Sequence, residues 1–171
     1  MIVLCLVNTY DKLKKHEIHL RSIARAIPLC YAFDFHLALY DFNFWRNERE
    51  MVDEVVSYTT IGDPEYAYQM LDKNRIHIID KFPAHFGELI ATTPEPDRSK
   101  ALSFEDMAKI IRERSVTFLI GLGRRGLPKD LMRRAKYHFE ATGRCVSLET
   151  CTAMGVIATT IHFARVMGWK R

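Results

Sequence analysis

The sequence runs FLIGLGRRGL over residues 118–127, an apolar stretch that passes directly into a glycine-rich segment. Two other segments have the same character, LIATT at residues 89–93 and VSLETCTA at residues 146–153. Short apolar runs of this kind are typical of buried strands. In an open parallel sheet, ligands bind where the strands end and their loops begin. The three segments therefore predict strands whose loops form a ligand site in the second half of the chain.

Strand-like and helix-like segments alternate along the rest of the sequence. Strands are predicted at residues 2–7, 29–39, 75–79, 89–92, 116–120 and 144–148. Helices are predicted at residues 14–27 (ended by Pro28), 46–57, from Asp63-Pro64-Glu65 onward, 103–114, 129–141 and 151–167. Because parallel strands need helical crossovers, the alternation predicts an α/β fold with a mostly parallel sheet flanked by helices on both faces. At 171 residues the chain has the size of one domain, residues 1–171.

Composition narrows the class of protein. Hydrophobic residues make up 48% and charged residues 27% of the chain, which is ordinary for a folded globular protein. No apolar run reaches the roughly 18–20 residues of a membrane span, and the apolar start lacks a signal-peptide pattern. We therefore expect a cytoplasmic protein with no membrane partner. The four cysteines form no C-x-x-C pair, which predicts free thiols, with Cys5 and Cys145 inside strands, and no metal site.

Positive charge is concentrated in one segment. Between residues 112 and 144, nine Lys and Arg residues face three Asp and Glu residues, whereas the whole chain has a net charge of only +4. Such an asymmetry favours an anionic partner. The candidate RNA-contacting residues are Arg124, Arg125, Arg133, Arg134 and Lys136. The alternative is a solvated helix face with no ligand.

The glycine-rich loop has more than one interpretation. Gly121, Gly123 and Gly126 match the G-x-G-x-x-G fingerprint of dinucleotide-binding proteins. However, the motif lies late in the chain, arginines fill its variable positions, and no suitably placed acidic residue follows a second strand. A nicotinamide-dependent enzyme and a simple turn without a ligand both stay open at this point.

Taken together, the three segments resemble the cofactor motifs of the SPOUT superfamily, the trefoil-knotted α/β methyltransferases. The likeness includes their order, their spacing and the apolar C-terminal helix, and it covers roughly the last eighty residues. Residues 19–26 (HLRSIARA) also resemble a stretch of archaeal tRNA ribose methyltransferases in this superfamily. The resemblance suggests an archaeal branch of the superfamily.

The resemblance implies a C-terminal trefoil knot, with the segment from about residue 116 onward threaded through a loop. It also implies S-adenosylmethionine bound in a bent conformation, mostly by backbone groups, which explains the small residues. The implied cofactor-binding residues are Thr92, Ile120, Gly121, Gly126, Leu127, Ser147, Leu148 and Ala153. A homodimer packed through the last and first helices is implied as well, with Ala153, Gly155, Ala158 and Phe163 as a smooth contact face.

Three residues are candidates for catalysis. By the resemblance of its helix, Arg25 would bind a phosphate or orient a hydroxyl, and the alternative is a solvated helix residue. Asn8 would orient substrate or be a plain turn residue. Glu149 would act as a base or hold the amine of the cofactor, and a helix-capping carboxylate is the alternative.

The sequence also departs from the superfamily's ribose methyltransferases. Gly123 stands at the position where they often carry the glutamate of G-x-E-G, and Arg124 follows it. Glu149 replaces the asparagine of Ser-Leu-Asn. The expected function is an S-adenosylmethionine-dependent methyltransferase acting on RNA, with a tRNA or rRNA ribose 2′-hydroxyl as the candidate acceptor. The alternative is a non-catalytic RNA- or protein-binding module that keeps the knotted fold.

Overall fold

Six parallel strands form the centre of the protein, a computed structural model that describes residues 1–166. Their order across the sheet is β3-β2-β1-β5-β4-β6, and each neighbouring pair is parallel. The strands are β1 (Ile2–Val7), β2 (His36–Tyr40), β3 (Ile76–Ile79), β4 (Glu88–Thr92), β5 (Val116–Gly121) and β6 (Tyr137–Phe139). The predicted α/β class with a parallel sheet is confirmed.

Helices cover the two faces of the sheet unequally. They are α1 (Glu17–Phe33), α2 (Glu48–Val55), α3 (Glu65–Asp72), α4 (Phe104–Glu113), α5 (Lys129–Arg134) and α6 (Thr150–Val166), with 3-10 turns at Val56–Tyr58 and Ala84–Phe86. Alternate side chains of β1 point to opposite faces. Leu4 and Leu6 pack in the larger core with residues of α1, α2, α3, α4 and α6. Val3 and Cys5 pack in a smaller core with Phe86 and Leu131, so α5 and a 3-10 turn cover the second face.

The first helix is longer than the sequence predicts. Pro28 lies inside α1, which continues to Phe33, so the predicted strand from residue 29 begins only at His36. Asp34, at φ 58°, ends the helix in the left-handed conformation. The guanidinium of Arg75 donates to the carbonyl oxygens of Cys30 and Phe35. Arg75, which is distant in sequence, thus ties the end of α1 to the residue that precedes β2.

Two further predictions in the second half are wrong. The predicted helix at 129–141 ends at Arg134, and residues 137–139, just before Glu140, form β6, which pairs with β4. The ammonium of Lys100 caps the end of α5, where it donates to the carbonyl oxygens of Met132, Arg133 and Ala135. Residues 144–148 form no strand, and Cys145 is exposed with φ 57°.

Other expectations concern features beyond single elements. All four cysteines are free, and Cys5 is buried in β1 as predicted. None of the helices within residues 1–166 has the length and apolarity to cross a membrane. The connection from β5 to β6 crosses β4, because β4 lies between these two strands in the sheet. The trefoil knot stays a prediction, and Met167, the predicted end of the last helix, lies outside the described residues.

Two histidines on neighbouring strands, His36 on β2 and His77 on β3, contact each other. The Nδ1 atom of His36 and the Nε2 atom of His77 lie 3.0 Å apart, so the two rings share one proton between them. Burial is the main reason that the pKa of His36 is lowered to about 4. The nearby His77, Arg75 and N-terminus lower this pKa further, whereas Asp34 raises it. Burial also lowers the pKa of His77, which faces Glu48 and His85. Both rings are therefore neutral in the folded protein near pH 7.

Acid is expected to destabilise the fold through this pair. Because the pKa of His36 is lower in the folded than in the unfolded chain, the stability it contributes is complete above about pH 6.5 and is lost as pH falls towards 4. We expect a loss of about 2 kcal/mol over this range, allowing for solvent screening of the half-buried ring. Urea unfolding at several pH values measures it. His36→Phe should flatten the dependence, and an unchanged dependence would assign the acid sensitivity to other groups.

Candidate active site

A cleft of about 1670 Å³ opens at the edge where the strands of the sheet end. Its walls come from the loops after β1, β4 and β5, from the segment after β6, and from one face of α1. The predicted cofactor-binding residues all line it, namely Thr92, Ile120, Gly121, Gly126, Leu127, Ser147, Leu148 and Ala153. The three sequence segments therefore meet in space although about sixty residues separate the first from the last.

The loop after β5 folds back tightly on itself. A Cβ atom on Gly121 would lie 2.7 Å from the carbonyl carbon and 2.8 Å from the carbonyl oxygen of Gly126. Gly123 and Gly126 have φ values of 110° and 62°, which side chains rarely adopt. In contrast, a Cβ on Gly126 would meet no atom of the protein within 4 Å. Gly121 is thus needed to close the loop, and Gly126 faces open space.

Hydrogen bonds tie the loops of the cleft to one another. The hydroxyl of Thr92 donates to the carbonyl oxygen of Leu119 at 2.7 Å, which joins the end of β4 to β5. The hydroxyl of Thr150 donates to the carbonyl oxygen of Gly121 at 3.2 Å, which joins the start of α6 to the end of β5. The walls are therefore fixed relative to the sheet.

Hydrogen bonds also order the segment after β6. The carboxylate of Glu140 accepts from the backbone N–H and the hydroxyl of Thr142, at 2.8 and 2.6 Å. Burial raises the pKa of Glu140, but these bonds and the backbone N–H groups of Gly143 and Cys145 outweigh it and lower that pKa. An ionised Glu140 thus holds the turn that leads to Ser147 and Glu149.

One face of α1 forms the opposite wall. Glu17, Arg21 and Arg25 recur every four residues and all border the cleft. Arg21 pairs with Glu17 at 2.7 Å. Arg25 is exposed, and its Nη1 atom lies 3.9 Å from the Sγ atom of Cys151 in the first turn of α6. Sequence reasoning did not identify Cys151, because its neighbour in space is 126 residues away.

The other two candidate catalytic residues differ in position. Glu149 is exposed and borders the cleft, and its carbonyl oxygen accepts from the N–H of Ala153 in α6. The prediction that Asn8 orients substrate is not supported, because its side chain is fully buried and does not line the cleft. Its Nδ2 atom donates to the carbonyl oxygens of Asp11 and Asp41. Asn8 therefore holds the β1–α1 loop in place.

His19, the first residue of the segment at 19–26, is the partner of Asn8. Its Nδ1 atom accepts from the N–H of His16, so its Nε2 atom carries the proton and donates to the Oδ1 atom of Asn8 at 3.1 Å. Burial lowers the pKa of His19, which favours this neutral form. Within residues 1–166 no group of three or more His, Cys, Asp or Glu side chains is placed to hold a metal ion.

The structure divides the predicted RNA-contacting residues into two sets. Arg124 and Arg125 are exposed and line the cleft, whereas Arg133, Arg134 and Lys136 lie outside it. Arg134 stands 5.5 Å above the ring of Phe82. Lys136 pairs with Glu88 at 2.6 Å, and its hydrogen bond is the main reason that the pKa of Glu88 is lowered. Contact of these three residues with RNA stays a prediction, and any such contact would be made outside this cleft.

The predicted contact face of the last helix is also not a single face. Ala158 is buried in the larger core, while Phe163 is 51% exposed. At 100° per residue, positions 153, 155, 158 and 163 spread around the helix. Helices α1 and α6 pack against each other within the chain. A homodimer stays a prediction.

A known protein family matches most of the chain. The model of the family described as "Protein of unknown function (DUF531)" matches residues 2–162. The chain belongs to this family. An uncharacterised archaeal protein, from Methanocaldococcus jannaschii, is 46% identical to the DUF531 chain over 162 residues, which is 94% of this chain and 93% of that protein.

Solved structures of low sequence identity share the fold of the DUF531 chain. A probable methylase family protein of Haemophilus influenzae has a TM-score of 0.63 at 15% identity, over 97% of this chain and 66% of that one. A TrmH/SpoU tRNA modifying enzyme of A. aeolicus has a TM-score of 0.55 at 12% identity, over 96% and 75%. The SpoU methyltransferase AviRb of Streptomyces viridochromogenes, solved with AdoMet, has a TM-score of 0.56 at 16% identity, over 98% and 61%. The fold is that of SpoU-type methyltransferases.

Proposed function

We propose that this chain binds S-adenosylmethionine in the cleft and transfers its methyl group to RNA. The convergence of three loops, with all eight predicted cofactor-binding residues on one cleft, carries the proposal. The fold shared with methyltransferases, one of them solved with AdoMet and another described as tRNA modifying, supports it. The cleft suits a nucleoside because backbone groups and small residues line it and the Cβ position of Gly126 is open.

The residues around the cleft divide the binding of the cofactor among them. Ile120, Leu127 and Leu148 offer apolar contacts, and the backbone near Gly121, Gly126 and Ser147 offers peptide N–H and carbonyl groups. Thr92 and Ala153 also line the cleft and complete the proposed cofactor-binding set. When bound, the sulfonium supplies an electrophilic methyl group. The protein then has to align an acceptor with that methyl.

The arginines of the cleft suit an RNA acceptor. Arg124 and Arg125 are exposed cations that can neutralise phosphates. Arg25 lies on the opposite wall, where its planar guanidinium can orient a phosphate or a ribose 2′-hydroxyl of tRNA or rRNA. In the transfer the hydroxyl oxygen bonds to the methyl carbon, the carbon–sulfur bond breaks, and the proton leaves to Glu149 or to water. Asn8 has no part in this scheme.

Three features of the superfamily complete the proposal. They are a C-terminal trefoil knot, a homodimer in contact through α6 and α1, and a cytoplasmic location alongside RNA. In such a dimer the exposed Phe163 would lie in the contact.

A second candidate is a non-catalytic RNA- or protein-binding module. It is favoured by Gly123 and Glu149, which stand where ribose methyltransferases of the superfamily often carry glutamate and asparagine. Both functions need the fold and the basic residues, but only the enzyme needs the cofactor. Cofactor binding therefore separates them.

Calorimetric titration with S-adenosylmethionine is the first test. We expect saturable binding of the cofactor and no binding of NAD. Tritium from the labelled methyl group should then appear in total RNA and disappear after ribonuclease treatment. No binding at millimolar cofactor would reject the enzyme, and NAD binding in its place would favour a nicotinamide-dependent reaction.

A further inference from the structure

A second, smaller cleft lies on the other side of one methionine from the first. It has a volume of about 450 Å³, within the range of small-ligand sites. Its lining residues are Asp97, Lys100, Lys129, Met132, Arg133 and His138. Met132 borders both clefts. An extended ligand can therefore contact both clefts by passing over the side chain of Met132.

Internal hydrogen bonds hold the floor of this second cleft. The ring of His138 is buried, with Nδ1 accepting from the N–H of Asp97 at 3.0 Å. Its Nε2 atom therefore carries the proton and donates to the carbonyl oxygen of Met132 at 2.9 Å. Lys100 gives its ammonium protons to three carbonyl oxygens at the end of α5. These groups are structural and position α5.

The acidic residue of the second cleft is also engaged. A carboxylate oxygen of Asp97 accepts from the N–H and the hydroxyl of Ser99, at 2.8 and 2.7 Å. These bonds from Ser99 are the main reason that the pKa of Asp97 is lowered, so the group stays ionised and turned to its own loop. It therefore does not pair with the basic residues of the cleft.

Two cations of the second cleft are left for a ligand. Lys129 and Arg133 stand one turn apart on α5 and are exposed. Neither side chain has a hydrogen bond or an ion pair with any residue in the range 1–166. Two unpaired cations at the mouth of a rigid cleft form a site for an anion.

We propose that this second cleft binds a backbone phosphate of the RNA whose acceptor nucleotide enters the first cleft. The inference rests on the proposed function and adds a second contact to it. RNA is the ligand we favour because Met132 lines both clefts, and because Arg124 and Arg125 add positive charge to the lining of the first cleft. This phosphate contact recognises no base, because phosphate contacts position a strand without specifying its sequence.

The salt dependence of RNA binding tests this assignment. Fluorescence anisotropy with a labelled tRNA, between about 50 and 200 mM salt, gives the slope of log affinity against log salt. The double variant Lys129→Gln with Arg133→Gln should reduce the slope by about 1.5–2 and weaken binding about tenfold at the lower salt. Its affinity for S-adenosylmethionine should not change, because neither residue lines the first cleft.

A matched control removes the same charge elsewhere. Lys73→Gln with Arg46→Gln changes one exposed lysine and one exposed arginine that line neither cleft, and it should leave the slope close to wild type. If RNA binds but the two double variants behave alike, the second cleft is no phosphate site and the proposed function stands. If the wild-type protein binds no RNA at all, the proposed function itself fails. If inorganic phosphate binds through Lys129 and Arg133 while the RNA slope is unchanged, the site takes a small phosphate ligand, which overturns our assignment to RNA.

Discussion

Gly121→Ala is expected to abolish binding of S-adenosylmethionine while the sheet persists. The added Cβ would lie 2.7–2.8 Å from backbone atoms of Gly126, and a backbone cannot retract as the end of a side chain can. The loop at residues 121–127 must therefore shift, and this loop lines the cleft from Gly121 to Leu127. We expect the affinity to fall at least about 100-fold, which corresponds to about 2.8 kcal/mol. Calorimetric titration measures the affinity, and circular dichroism checks the fold.

Two other glycines separate the causes of such a loss. Gly62→Ala is the control, because its Cβ would meet no atom within 4 Å and it lies outside both clefts. Gly126→Asn keeps the left-handed conformation that asparagine tolerates, so any loss there reports side-chain bulk in the open space beside the loop. Wild-type affinity in Gly121→Ala would show that the loop after β5 takes no part in cofactor binding.

Local patterns in the sequence were enough to predict most strands and the loops of the cleft. The run at residues 118–121 is apolar and then small, and its partners β1 and β4 are apolar in the same way. Such patterns extend over only a few residues, so they can be recognised without knowledge of the fold. The proposed cofactor-binding residues came from the resemblance of these segments to the motifs of a known superfamily, and the structure places all of them on one cleft.

What the sequence failed to predict depends on partners far along the chain. Helix α1 continues past Pro28 to Phe33, and its carboxyl end is bonded by Arg75, which lies 45 residues beyond Cys30. Strand β6 has only three residues and exists through its pairing with β4. Asn8 looks like an exposed turn residue until the fold brings Asp41 and His19 to its amide. None of these contacts has a local signature.

Arg25→Lys is expected to slow methyl transfer about 100–1,000-fold with little change in affinity for S-adenosylmethionine. The guanidinium of Arg25 borders the cleft opposite the arginines of the β5 loop, so it is placed to touch the acceptor. Lysine keeps the charge but loses the planar fork that can hold a phosphate or a hydroxyl oxygen in a fixed direction. Losses of this size are typical when one positioned donor is removed from a transition state. Single-turnover transfer of tritium to RNA measures the chemical step.

The split between rate and affinity decides which role Arg25 has. A lower transfer rate at saturating RNA, with unchanged RNA affinity, would identify a residue that acts in the chemical step. A weaker RNA affinity with an unchanged rate would identify a phosphate contact only, and no change in either would leave a solvated helix residue. Arg46→Lys is the control, because this exposed arginine borders neither cleft. Arg25 also lies 3.9 Å from the thiol of Cys151 at the start of α6, so an acceptor held by Arg25 would lie where the first and last helices meet.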